Sequence, residues 1–103
     1  MSHSKKNLQL VKLLIDAEPT VCRSVLKTAA SNFITFLGEV AINILHQNIT
    51  ITDHYLNKLR THSKVIRDLG SKRIKNRRRQ KLCVEHHKVV QLMLKASVSQ
   101  LTE

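Results

Sequence analysis

The chain is expected to be all-α, a compact domain of about five helices. Three observations predict this. Two glycines and one proline in 103 residues leave few points where a helix must stop. Apolar residues recur at three- and four-residue intervals through most of the chain. The one stretch with β-branched alternation, "NITIT" at 48–52, is too short for more than a bridge or an extended link.

The first helix is expected from about Ser4 to Ala17, capped by Ser4, with Leu8, Val11, Leu14 and Ile15 as its apolar face. Pro19 cannot continue that helix but suits the first turn of the next. There Val21, Cys22, Val25, Leu26 and Ala29 are expected to point inward, with Cys22 acting as a small hydrophobe. Ser31 is the next candidate cap. The third helix, "NFITFLGEVAINILHQ", is apolar on more than one face (Phe33, Ile34, Leu37, Val40, Ala41, Ile44, Leu45) and is expected at the centre. Gly38 inside it costs about 1 kcal/mol against Ala, which suggests close approach of a neighbouring helix.

Thr52 is expected to cap a fourth helix, with Asp53 at the positive end of its dipole. Tyr55, Leu56, Leu59, Ile66 and Leu69 supply its apolar face, and Gly70 is expected to end it in the left-handed conformation. Ser71 then opens a fifth helix, with Ile74, Leu82, Val89 and Met93 along one stripe and Val90 and Leu94 widening it. The expected organisation is a helical core over 1–70 and a basic amphipathic helix over 71–103, packed on that core or extending from it. The third and fourth helices around "NITIT" resemble a histone-like helix–bridge–helix at the level of fold alone.

Charge carries the functional signal. The formal net charge is +11. Residues 1–52 hold five Lys/Arg against three Asp/Glu, and residues 53–103 hold thirteen against four. The excess is therefore concentrated in the second half, which points to a polyanionic partner. "SKRIKNRRRQK" places Lys72, Arg73, Lys75, Arg77, Arg78, Arg79 and Lys81 within ten residues, with no acid among them. Arg60, Lys64 and Arg67 form a supporting row just before it. Arginine forks suit phosphate oxygens and lysines add point charges. These ten cations are the expected nucleic-acid contacts, with DNA placed ahead of RNA.

Phe33, Phe36 and Tyr55 fall at core positions, so no stacking platform for single strands is expected. Only Asn76 and Gln80 in the basic run suit base edges, which favours backbone binding over sequence reading. Import receptors also recognise such runs, so a nuclear location is expected, and otherwise a cytoplasmic one.

Other chemistries find little support. The seven acids are scattered, no glycine-rich loop cradles a phosphate, and no nucleophile motif stands out, so no enzyme activity is expected. "CVEHH" at 83–87 offers half a zinc site, which only Cys22, His54 or His62 would complete through the fold. The plainer expectation is a buried Cys83 beside two solvated histidines, with no metal and no cofactor. Two cysteines are too few for a disulfide framework and fit a reducing compartment. The first twenty residues are amphipathic and interrupted by charge, unlike a signal peptide, and no membrane association is expected. The rival to nucleic-acid binding is an assembly module. In that reading Leu82, Val89, Val90, Met93 and Leu94 form an exposed stripe that pairs with a second copy or a virion protein.

Three stretches, "LLIDAEPTVCRSVLKTA" (13–29), "EVAINILHQNITIT" (39–52) and "KLRTHSKVIRDLGSKR" (58–73), resemble small basic helical proteins. Those proteins are encoded by adintovirus-like and Maverick-type DNA elements and by related aquatic animal loci. The resemblance covers about two thirds of the chain by pattern, through positions such as Leu14, Pro19, Leu26, Glu39, Asn43, Asn48, Thr52, Arg60, His62, Lys64, Arg67 and Lys72. It implies a genome- or virion-associated protein and supplies no activity. Those relatives usually follow the basic run with a Gly-Gly-Phe-Leu-type apolar tail. Here Glu85, His86 and His87 lead instead into "KVVQLMLKASVSQLTE".

Overall fold

The computed structural model describes residues 5–101, with side chains described to residue 98. Seven helices run through these residues: α1 (Lys5–Ile15), α2 (Pro19–Thr28), α3 (Ser31–Leu45), α4 (Asp53–Arg60), α5 (Ser63–Gly70), α6 (Asn76–Glu85) and α7 (His87–Leu101). No strand forms among the described residues, and 46–52 is an irregular connection. The count rises from five to seven because both long C-terminal helices break, at points no glycine or proline marks.

The first break is at Thr61–His62. The Thr61 hydroxyl donates to Lys58 O at 2.7 Å, and the His62 N–H donates to Leu59 O at 2.9 Å. This corner lets α4 and α5 serve different neighbours: α4 packs on α7, while α5 lays Ile66, Leu69 and Gly70 against α3. The second break is at His86, whose N–H closes α6 on Leu82 O while its carbonyl receives the Val89 and Val90 N–H groups that open α7.

α3 is central, as its apolar surround predicts, burying Phe33, Ile34, Phe36, Leu37, Val40, Ala41 and Ile44. α7 is the second interior helix, in contact with α1, α2, α3, α4 and α6. Of the two arrangements expected for the segment after residue 70, α6 and α7 are packed on the rest of the chain rather than extending from it. A single apolar cluster takes residues from α1 through α7.

Several local expectations change. α3 has Ala30 rather than Ser31 at its N-cap position, and Thr52 stands at the N-cap of α4 without a side-chain cap bond. Val21 is exposed, while Cys22 and Leu26 make the buried face of α2. The Ser4 cap lies outside the described residues. Gly70 is not left-handed. It ends α5 where a Cβ would meet Ile42 Cγ1 at 3.1 Å and Ile42 N at 3.3 Å, so its lack of a side chain sets the α5–α3 spacing.

The left-handed residue is Gln47, at φ 54° just past α3. Its N–H donates to Ile44 O, and the Asn48 N–H reaches back to Asn43 O, closing the helix in a Schellman-like turn. A glutamine pays a steric cost there that glycine does not. Gln47→Gly is expected to raise unfolding free energy by about 1 kcal/mol in urea titrations. A loss of stability would mean that the turn does not hold this conformation.

The second half of the chain supplies what the helix ends of the first half lack. The last carbonyls of a helix have no partner within it. Gln91 Nε2 donates to Leu14 O and Ala17 O, both at 2.9 Å, at the end of α1. Gln80 Nε2 donates to Leu26 O at 2.8 Å, Lys27 O at 2.9 Å and Ala29 O at 3.3 Å, at the end of α2. Asn76 Nδ2 reaches the first turns of α3, at Ser31 Oγ (2.8 Å) and Thr35 Oγ1 (2.7 Å).

Candidate nucleic-acid interface

The basic run is not one continuous helix. Residues 71–75 form a turn between α5 and α6, with Ser71 closing α5 and its Oγ accepting the Arg73 N–H at 3.2 Å. α6 begins only at Asn76, with Lys75 at its N-cap position. Ser71 is therefore not the cap of a basic helix.

What fixes this turn is Arg79, one of the expected phosphate contacts. It is 9% exposed. Its Nε donates to Leu69 O at 2.8 Å, one terminal nitrogen donates to Ser71 O at 2.7 Å, and the other pairs with Asn76 Oδ1. The guanidinium end of the side chain crosses Gly38, where a Cβ would sit 2.8 Å from Nε, 3.1 Å from Cδ and 3.3 Å from Cζ. The close neighbour that Gly38 admits is thus an arginine side chain rather than a second helix backbone. Arg79 leaves the contact set because its donors are occupied by the backbone it holds in place. Its position was legible: it lies three residues before Leu82 and four before Cys83, on the buried stripe of α6.

The other nine cations are exposed: Arg60, Lys64, Arg67, Lys72, Arg73, Lys75, Arg77, Arg78 and Lys81. None of their side chains makes an ion pair with a described acid. Arg60 ends α4, on the far side of the Thr61–His62 corner from Lys64 and Arg67, so the supporting row is divided between two helices. Lys72, Arg73 and Lys75 stand on the braced turn. Arg77, Arg78 and Lys81 project from α6, and with Ile74 and Lys75 they line an open groove of about 380 Å³. Asn76 and Gln80, the two amides suited to reading base edges, are turned inward onto α3 and α2.

No family model, curated protein or solved structure matches the chain.

The rival stripe is inside the molecule. Leu82 and Val89 are buried, and Val90, Met93 and Leu94 are fully so, all packed within one chain. The five residues are thus core rather than a free surface for pairing. An aspartate at Leu82 or Val89 tests folding before it tests association.

Around "CVEHH" the structure corrects one expectation. Cys83 is buried, but so is His87, with neither ring nitrogen hydrogen-bonded, while His86 is half-buried. Among the described residues no group of three or more His, Cys, Asp or Glu is placed to hold a metal ion. No single helix there is long and apolar enough to cross a membrane.

Burial pushes the Cys83 thiol up to about 12, against a smaller lowering effect of Arg79, and burial also raises the Cys22 thiol. Both therefore stay protonated and shielded at neutral pH. A disulfide-exchange reagent at pH 8 is expected to label them only at the rate of unfolding, and at once in denaturant. The sign for stability follows. The unfolded thiols ionise near their ordinary value while folded Cys83 keeps its proton to about 12. This contribution is complete below pH 8 and is lost as pH rises towards 12. Fast labelling of native protein at pH 8 would contradict the burial of both thiols.

Proposed function

We propose that this is a non-enzymatic nucleic-acid-binding protein that grips the phosphate backbone, duplex DNA above all, with little sequence preference. The observation that carries the reading is a folded basic turn braced from within. Arg79 and Asn76 tie 71–76 to α3 and α5, leaving the surrounding cations exposed and without acid partners. Preorganised cations of this kind neutralise phosphates and release counterions. Low specificity is supported by the inward amides, since the side chains left outside are phosphate binders rather than base readers. Phe33 and Phe36 are buried, which argues against stacking on splayed bases.

The resemblance to proteins of adintovirus-like and Maverick-type elements adds genome association, in the nucleus or the virion. Import-receptor recognition is the lesser use of the run. A linear signal presents consecutive side chains, whereas here Arg79 and Gln80 face inward between Arg78 and Lys81.

The direct test is a titration of labelled duplex of mixed sequence across a range of salt. Six to nine engaged phosphates predict that log K falls against log salt with a slope of about −5 to −8. Affinity that does not change with salt would remove the proposal, and a strong preference for one sequence would remove its low-specificity part.

A further inference from the structure

One cation outside the basic run faces it across a cleft. Lys27, in the last turn of α2, lines a concave space of about 470 Å³ together with Arg77, Gln80, Lys81, Val84 and Glu85 of α6. Lys27, Arg77 and Lys81 are exposed, and their side chains make no ion pair with a described acid. Gln80 forms the base of the juxtaposition, because its amide holds the α2 terminus against α6 through Leu26 O, Lys27 O and Ala29 O.

That amide has an electrostatic consequence. A helix C-terminus carries about half a negative charge on its free carbonyls, which would repel an anion placed beside Lys27. Gln80 occupies those carbonyls with N–H donors and mutes the repulsion. Glu85 contributes a negative charge from a position four residues beyond Lys81 on α6, so the anion-favouring part of the cleft is the part between Lys27, Arg77 and Lys81. Val84 and the aliphatic stems give the cleft an apolar wall against which a sugar can rest.

We propose that the α2–α6 cleft is a discrete phosphate site of the nucleic-acid-binding face, holding one backbone phosphate between Lys27, Arg77 and Lys81. This rests on the nucleic-acid reading above and adds a contact from a part of the sequence whose net charge is small. It also makes the face continuous across two elements distant in sequence, so that bound nucleic acid bridges α2 and α6.

The test is anisotropy titration of a labelled duplex with the intact protein at about 0.05 M and 0.2 M salt. Lys27→Gln, at an exposed site, is expected to leave the thermal midpoint in place. It should weaken binding roughly five- to tenfold at the lower salt and make the salt slope shallower by up to about 0.9. Lys12→Gln, on α1, serves as the control and leaves both unchanged. Because Lys27 and Arg77 share one phosphate, the double variant Lys27→Gln/Arg77→Gln loses less than the product of the two single effects. Lys27→Gln with Lys64→Gln gives the full product. Wild-type slope and affinity in Lys27→Gln, or independent effects of Lys27 and Arg77, would overturn the cleft while leaving the wider reading intact. No salt-dependent binding by the wild-type protein would overturn both.

Discussion

Arg79→Ala is expected to lower unfolding free energy by about 3–4 kcal/mol, although the substitution removes one of seven cations from a basic run. The cause is the interior the guanidinium serves. Its loss leaves Leu69 O, Ser71 O and Asn76 Oδ1 without their donors, and a hydrogen bond to a charged group is worth about 1.5–3 kcal/mol. Against a total stability of about 5–15 kcal/mol this is a large share. The thermal midpoint should fall by roughly 15–25 °C. Arg79→Lys is expected to recover little, since an ammonium cannot reproduce the planar fork.

Gly38→Ala probes the same contact from α3. Alanine gains about 1 kcal/mol of helix propensity, but its Cβ meets Nε at 2.8 Å and the pinned side chain has nowhere to retreat. The net effect is expected to be destabilising. Urea unfolding of Arg79→Ala beside Arg78→Ala decides the matter. Arg78 is exposed and should cost no more than about 0.5 kcal/mol. Equal, small losses at both positions would mean that Arg79 is a surface residue.

The opposite pattern is expected for Arg77→Gln/Arg78→Gln/Lys81→Gln. These three exposed side chains make no bond to a described residue, so the thermal midpoint should hardly move. Duplex affinity should fall roughly 10²- to 10³-fold at about 0.1 M salt, and the log–log slope should lose about 1.8, the share of two phosphates, one met by Arg78 and one shared by Arg77 and Lys81. Arg79 has no place in such a triple. A variant carrying Arg79→Gln confounds loss of binding with loss of the fold. Near-wild-type affinity and slope in the triple would sink the nucleic-acid reading on this face.

Much of the fold was readable where one physical effect dominated. α3 is apolar nearly all round, and only an interior position satisfies that. Pro19 starts α2 because its ring sets a helical φ and lacks the N–H that a first turn cannot use. The breaks at Thr61–His62 and His86 were not readable. Neither carries a glycine or proline: the first turns the chain from α7 onto α3, and the second lets α7 reach α1 and α4 while both sides keep contact with α2 and α3. The basic run was readable as charge but not as geometry. Counting cations treats all seven as solvated, whereas the spacing of Arg79 to Leu82 and Cys83 already set it on the inward stripe. The nearness of Lys27 to Arg77 and Lys81 was not readable, because it arises only where α2 packs on α6 through the core and through the Gln80 clamp.

That clamp and its counterpart at Gln91 bear on how the chain is made. α1 and α2 are synthesised first, yet the donors that complete their ends lie 51 to 77 residues further on. Such non-local closure slows folding relative to a bundle of sequential hairpins. During translation the early helices therefore emerge with open ends and uncovered apolar faces, the form most exposed to aggregation and proteolysis. A message truncated after residue 70 yields a fragment for the quality-control machinery to clear rather than a smaller working domain.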